Sequence, residues 1–131
     1  MIVDTGKLEL LDELMSNVTD TIVEIVSATF DDTDPDLAYG DLTIASWSGG
    51  VTYYNLTSMG AATMDGTRAK STRSSAMSFL NEMGSTQTGY GWAWSRSGVL
   101  IGAKLFDSPQ SVPDLATLEL TPSIYLDNLT L

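Results

Sequence analysis

Residues 88–106 read Thr-Gly-Tyr-Gly-Trp-Ala-Trp-Ser-Arg-Ser-Gly-Val-Leu-Ile-Gly-Ala-Lys-Leu-Phe. Tyr90, Trp92 and Trp94 alternate with Gly89, Gly91, Ala93 and Ser95, the period of two that places successive side chains on opposite faces of a strand. One face is aromatic and the other almost bare, which suits a strand whose small face lets another backbone approach closely. Ser97-Gly98 turns the chain, and residues 99–106 return as an antiparallel partner.

The pattern extends outward in both directions. Upstream, Ile22, Glu24, Val26, Ala28 and Phe30 alternate with Val23, Ile25, Ser27 and Thr29, and apolar residues on both faces predict a central strand. Residues 42–47 and 51–56 flank Ser48-Gly49-Gly50 as a hairpin, and Asp65-Gly66 is a further turn signal. Residues 67–80 are β-compatible and end with Ser75, Met77 and Phe79 against Ala76, Ser78 and Leu80. Downstream, residues 107–114 hold Pro109 and Pro113 and read as a loop before a last strand over 115–121. Pro122 breaks that strand, and residues 123–126 continue as an edge or kinked segment.

Only the N-terminus reads as helix. Over residues 5–17, Leu8, Leu11, Leu14 and Met15 fall at helical spacing with Leu10 alongside, Asp4 or Thr5 caps the start, and Glu9, Asp12 and Glu13 occupy the other side. Seven to nine short strands behind one helix predict an all-β fold, an antiparallel β-sandwich of jelly-roll type. The expected organisation is a single domain over 1–131, with 1–17 as helix or arm and 19–131 as sandwich.

Composition narrows the chemistry. The 131 residues include no cysteine and no histidine, which removes thiol nucleophiles, thiolate zinc sites and histidine-based proton relays. Seventeen acids face six bases for a net charge of −11, a field that repels phosphate backbones, so no direct nucleic-acid partner is expected. Residues 1–65 hold twelve acids and one base, Lys7, while 66–131 hold five of each. No apolar stretch is long enough to span a bilayer as a helix, and the first residues lack the basic and apolar regions of a secretory signal. The sequons at Asn17, Asn55 and Asn128 are expected by chance in a chain so rich in Ser and Thr.

Four features invite a functional reading. Asp32, Asp34 and Asp36 have the spacing that opens a calcium loop, but Leu37 and Thr43 stand where the sharp glycine and the bidentate Glu belong. An acidic solvated loop is the plainer reading, and no metal or other cofactor is expected. Arg68, Lys70 and Arg73 form a basic cluster, in which Arg68 and Lys70 share a strand face and can dock an acidic partner or offset the acidic half of the chain. Tyr90, Trp92 and Trp94 can form a carbohydrate-stacking platform with Trp47, Tyr53 and Tyr54, or they can be core. The leucine face of the helix, Leu8, Leu11 and Leu14, must be buried against its own sheet or against another subunit. No pair of carboxylates is singled out by spacing for hydrolysis, and no catalytic residue can be named.

Three stretches carry a resemblance. They are Gly6-Lys7-Leu8-Glu9-Leu10-Leu11-Asp12-Glu13-Leu14; Ser75–Phe79 followed by the 89–106 hairpin; and Ala116-Thr117-Leu118-Glu119-Leu120-Thr121-Pro122 with Ser123-Ile124-Tyr125-Leu126. Together they resemble a diffuse family of small virion structural proteins of tailed bacteriophages, in a leucine-rich opening helix, a Gly-rich strand with its apolar return, and a closing strand. The middle of the chain, with its acidic loop and basic cluster, departs from that pattern. The resemblance implies a non-enzymatic capsid decoration or cement protein, or else a tail, baseplate or fibre component. It implies a homo-oligomer, dimer or trimer, that binds the major capsid protein on the virion surface after assembly in the host cytoplasm. The candidate interface residues are Leu8, Leu11, Leu14, Arg68, Lys70 and Arg73.

Overall fold

A computed structural model describes residues 1–16, 20–47 and 52–127. In chain order its elements are α1 (Asp4–Ser16), β1 (Thr21–Val26), β2 (Tyr53–Asn55), β3 (Thr63–Asp65), β4 (Arg68–Thr72), β5 (Met77–Leu80), β6 (Gln87–Arg96), β7 (Val99–Val112), β8 (Thr117–Leu120) and β9 (Ser123–Leu126). A single 3-10 turn at Tyr39–Asp41 lies between β1 and β2. The protein is all-β with one short N-terminal helix. The strands form sheets in the orders β2-β1-β6-β7, β3-β4-β9 and β5-β8.

The chain divides into two compact units, one drawn from Met1–Thr19, Thr57–Ala76 and Leu120–Leu131, the other from Asp20–Leu56 and Met77–Glu119. In the first, β3 and β4 form a hairpin across Gly66, whose φ of 63° needs a residue without Cβ strain, and β9 pairs on the far side of β4. Ala69 and Ser71 of β4 point inward and are fully buried, and the Ser71 hydroxyl donates to the Gly60 carbonyl at 2.7 Å. Helix α1 packs on this sheet, so it belongs to the unit's core and does not stand apart as an arm.

The second unit is built around the four-stranded sheet. Its central strands are β1 and β6, with Val23 opposite Trp94 and Ile25 opposite Trp92; β1 is buried almost throughout because neighbouring strands flank both of its edges. Ser97 and Gly98 both have positive φ, 51° and 80°, the type I′ geometry that matches the twist of a two-residue hairpin. The expected hairpin between 42–47 and 51–56 is not formed. Residues 43–45 instead run beside the end of β1, with Ala45 N–H donating to the Ile25 carbonyl at 2.8 Å, while β2 pairs with the start of β1. Both segments thus complete the same edge of one strand. The turn expected at 48–50 lies outside the described residues, as do Asn17 and Asn128.

A second departure concerns residues 107–114. They are not a loop as far as Val112, because β7 continues through Pro109. Between Gly89↔Gln110 and Gly91↔Leu105, two steps on β6 face five on β7, and this bulge accommodates the proline that a regular ladder would reject.

Candidate functional site

On α1 the buried ridge is Lys7, Leu11 and Met15, spaced i, i+4, i+8. The expected face of Leu8, Leu11 and Leu14 is therefore corrected. Leu11 is wholly buried and spent on the unit's own core, Leu8 is half-buried, and the exposed leucines are Leu10 (52%) and Leu14 (46%). A lysine can take an inward position because its stem packs as hydrocarbon while the ammonium donates to the Thr67 carbonyl in the β3–β4 turn, with Asp4 Oδ1 at 3.8 Å. Leu10 and Leu14, one turn apart, form a second apolar ridge beside the buried one.

The basic cluster separates into two kinds of residue. Arg73 is a staple: its guanidinium donates to the Thr57 carbonyl at 3.1 Å, the Ser75 carbonyl at 2.7 Å and the Ser75 hydroxyl at 3.1 Å. Arg68 and Lys70 instead lie on the face of β4 opposite Ala69 and Ser71. Lys70 pairs across the sheet with Tyr125, whose ring carries the Arg68 guanidinium 3.7 Å from its centroid and the Lys70 ammonium at 5.9 Å. Such geometry falls within cation–π range. Asp65 contacts Arg68 at 3.4 Å, an exposed pair of small energetic weight.

The middle ring of the aromatic stripe on β6 belongs to the core. Trp92 is buried at 7% exposure, because it lies beside Ile25 in the sheet interior, and Tyr90 and Trp94 are half-buried. The Trp94 indole lies so close over Gly102 that a Cβ there would fall 2.2 Å from Nε1. Trp47 is also core, and Tyr54 packs edge-on against Phe79 at 5.1 Å while its hydroxyl donates to the Ser78 carbonyl. Only Tyr53 of that group is exposed. A void of about 10 Å³ among Ile25, Ala45, Trp47, Thr52, Phe79 and Leu80 holds at most one water.

The acidic loop is ordered by its own carboxylates. Asp31 accepts from the Thr33 hydroxyl at 2.6 Å and the Thr33 N–H at 3.0 Å, Asp34 from the Asp36 N–H, and Asp41 from the Ala38 N–H. The Thr33 hydroxyl, and secondarily its N–H, hold the Asp31 carboxyl below its ordinary pKa. Asp32 reaches the outer edge of β7 and accepts from the Leu105 N–H at 3.1 Å, one way of blunting an open sheet edge. Among the described residues, no group of three or more acids is arranged to hold a metal ion.

Sequence reading missed Glu24 and its partner. Glu24 is buried in β1 and accepts a 2.8 Å hydrogen bond from the Tyr39 hydroxyl, which pins the 3-10 turn to the sheet. Desolvation, then the hydrogen bond to Glu24 and its charge, push Tyr39 up to about 12. The folded state thus binds the phenolic proton more tightly than the unfolded chain. Its contribution is complete below the ordinary tyrosine value near 10 and is lost as pH rises from there through about 12. Urea unfolding of wild type is expected to weaken across that window, and Tyr39→Phe to weaken less steeply; equal slopes would exclude the pairing.

The chain matches no protein-family model, no curated protein and no solved structure.

Proposed function

We propose that this chain is a non-enzymatic structural protein of a tailed-phage virion, a decoration protein that binds the major capsid protein and stabilises the head shell. The observation that carries the reading is the second apolar ridge of α1. Leu11 and Met15 already serve the core, yet Leu10 and Leu14 remain about half exposed beside them. Two leucines one turn apart on a packed, preordered helix suit a groove on a partner, the mode by which amphipathic helices dock. Binding confined to the assembled shell would favour that shell by mass action, repeated at every site.

The test is rebinding of purified chain to particles stripped of it. In the double variant Leu10→Asn, Leu14→Asn, retention should fall by about tenfold or more, given ~1.5–3 kcal/mol for fully burying a leucine. Thermal unfolding of the free variant should lose about 2–3 kcal/mol at most and leave the chain folded, because each leucine is already about half exposed and asparagine lowers helix propensity only modestly. Undiminished retention would exclude this ridge as the docking surface. Retention at a tail or at single vertices would favour the tail or baseplate reading.

A further inference from the structure

We infer that the outer edge of β7 between Val99 and Ala103 receives an extended segment of another protein as a further strand, an apolar stretch with a carboxylate at either end. β7 is the last strand of its sheet in the order β2-β1-β6-β7, and the open edge differs between its two halves. From Leu105 onward it is closed by the means folded sheets use: Asp32 accepts from the Leu105 N–H at 3.1 Å, the strand bulges before Gln110, and Pro109 has no N–H to offer. The side chains there, Asp107, Ser108, Gln110 and Ser111, are exposed and polar. Between Val99 and Ala103 the exposed side chains are instead apolar, Val99 at 63% and Ile101 at 48%. An edge that had only to stay closed would carry charge at those two positions.

Backbone direction lets this stretch pair. The bond to Asp32 fixes the Leu105 N–H on the side away from β6, and antiparallel alternation turns the N–H and carbonyl of Ala103 the same way. At the other end the two-residue turn pairs Val99 with Arg96, so Leu100 presents its N–H and carbonyl outward. Ile101 is the extra residue of a bulge between Trp94↔Gly102 and Ser95↔Leu100. Charge selects the occupant. The unit drawn from Asp20–Leu56 and Met77–Glu119 holds eleven acids and two bases, Arg96 and Lys104. Both bases are exposed, and neither side chain has an ion pair or hydrogen bond with a described residue. They bracket the stretch: Arg96 is opposite Val99, and Lys104 follows Ala103 and is opposite Trp92, which puts both cations on one face of the sheet. Glu24, the only acid in β1, β2 or β6, is opposite Ala93 on the other face, where its bond to Tyr39 also holds the loop that carries Asp32. An acidic unit thus sets its two cations at the ends of an exposed apolar edge, the complement of a strand ended by carboxylates.

None of these groups belongs to the unit that holds α1, so the capsid reading and this strand addition fail independently. The probes are two blocked heptapeptides of alternating valine and threonine, one ended by aspartates and the other by lysines, titrated into the purified chain while amide exchange is followed by NMR. The aspartate-ended peptide should bind saturably below about 1 mM and slow exchange at Leu100 and Ala103 by about tenfold. The lysine-ended peptide should bind about tenfold or more weakly. Reversing the charges with Arg96→Glu and Lys104→Glu should invert that preference. Lys104→Gln alone, at an exposed side chain, should narrow the preference severalfold and serves if the double variant alters the circular dichroism. The inference is overturned by an aspartate-ended peptide that does not bind up to about 1 mM, by protection that falls elsewhere than on Leu100 and Ala103, by equal binding of the two peptides, or by a preference that survives charge reversal.

Discussion

Asn81→Ala is expected to destabilise its unit by about 3–5 kcal/mol, a large share of the ~5–15 kcal/mol that holds a typical domain together. Asn81 is completely buried. Its amide donates to the carbonyls of Ser85 and Val112, each at 2.9 Å, and its carbonyl oxygen accepts from the Met83 N–H at 2.9 Å. Alanine would leave three backbone groups without these partners, each costing ~1–3 kcal/mol if it stays dry. The main chain of Asn81 also pairs with Ala116 and Leu115, and Leu115 is held at φ 64°, a conformation costly for a leucine. Losing the side chain loosens the same junction that holds this strain. All three tryptophans lie in this unit, so urea unfolding followed by tryptophan emission reads its stability directly. Ser85→Ala is the control: Asn81 binds the Ser85 main chain, and a midpoint near wild type is expected. If Asn81→Ala also unfolds near the wild-type midpoint, the hub is not what joins these loops.

Gly91→Ala should rival it, with a loss of about 3 kcal/mol or more. A Cβ at Gly91 would sit 2.3 Å from the Lys104 carbonyl oxygen and 3.0 Å from the Leu105 Cα. Both obstacles are backbone of β7, so relief requires the β6–β7 ladder to shift beside its bulge. Gly40 offers the contrast, with no atom within 4 Å of a Cβ there and no positive φ. Gly40→Ala should leave the unfolding midpoint within about 0.5 kcal/mol of wild type. Equal midpoints for the two substitutions would mean that the close approach at Gly91 is not structural.

The same glycine shows what the sequence made legible. Alternation of rings with Gly, Ala and Ser identified β6, anticipated a close backbone approach and located the turn at Ser97-Gly98, because period two and positive φ are local properties. Other features depended on partners distant in sequence. Which ridge of α1 is buried hinged on a carbonyl at Thr67 that accepts the Lys7 ammonium, so the helix face was displaced toward Lys7 and Met15. Pro109 looked like a strand terminator, since nothing local announces that β7 will bulge around it. Local alternation pairs 42–47 with 51–56, whereas residues 43–45 lie beside β1, a partner distant in sequence. Asn81 had a usable signal: it continues the inward parity of Met77 and Phe79, and a polar residue at an inward position must find buried partners. The shared face of Arg68 and Lys70 was legible from their spacing on a strand; the Tyr125 ring beneath them, supplied by β9, and the role of Arg73 as a staple were not.

Counting copies of this chain against the major capsid protein in purified virions tests the proposed shell-coating role most directly. Quantitative mass spectrometry should give a ratio to the major capsid protein near one or a simple fraction of it. A few copies per hundred capsid subunits, or none, would contradict that role.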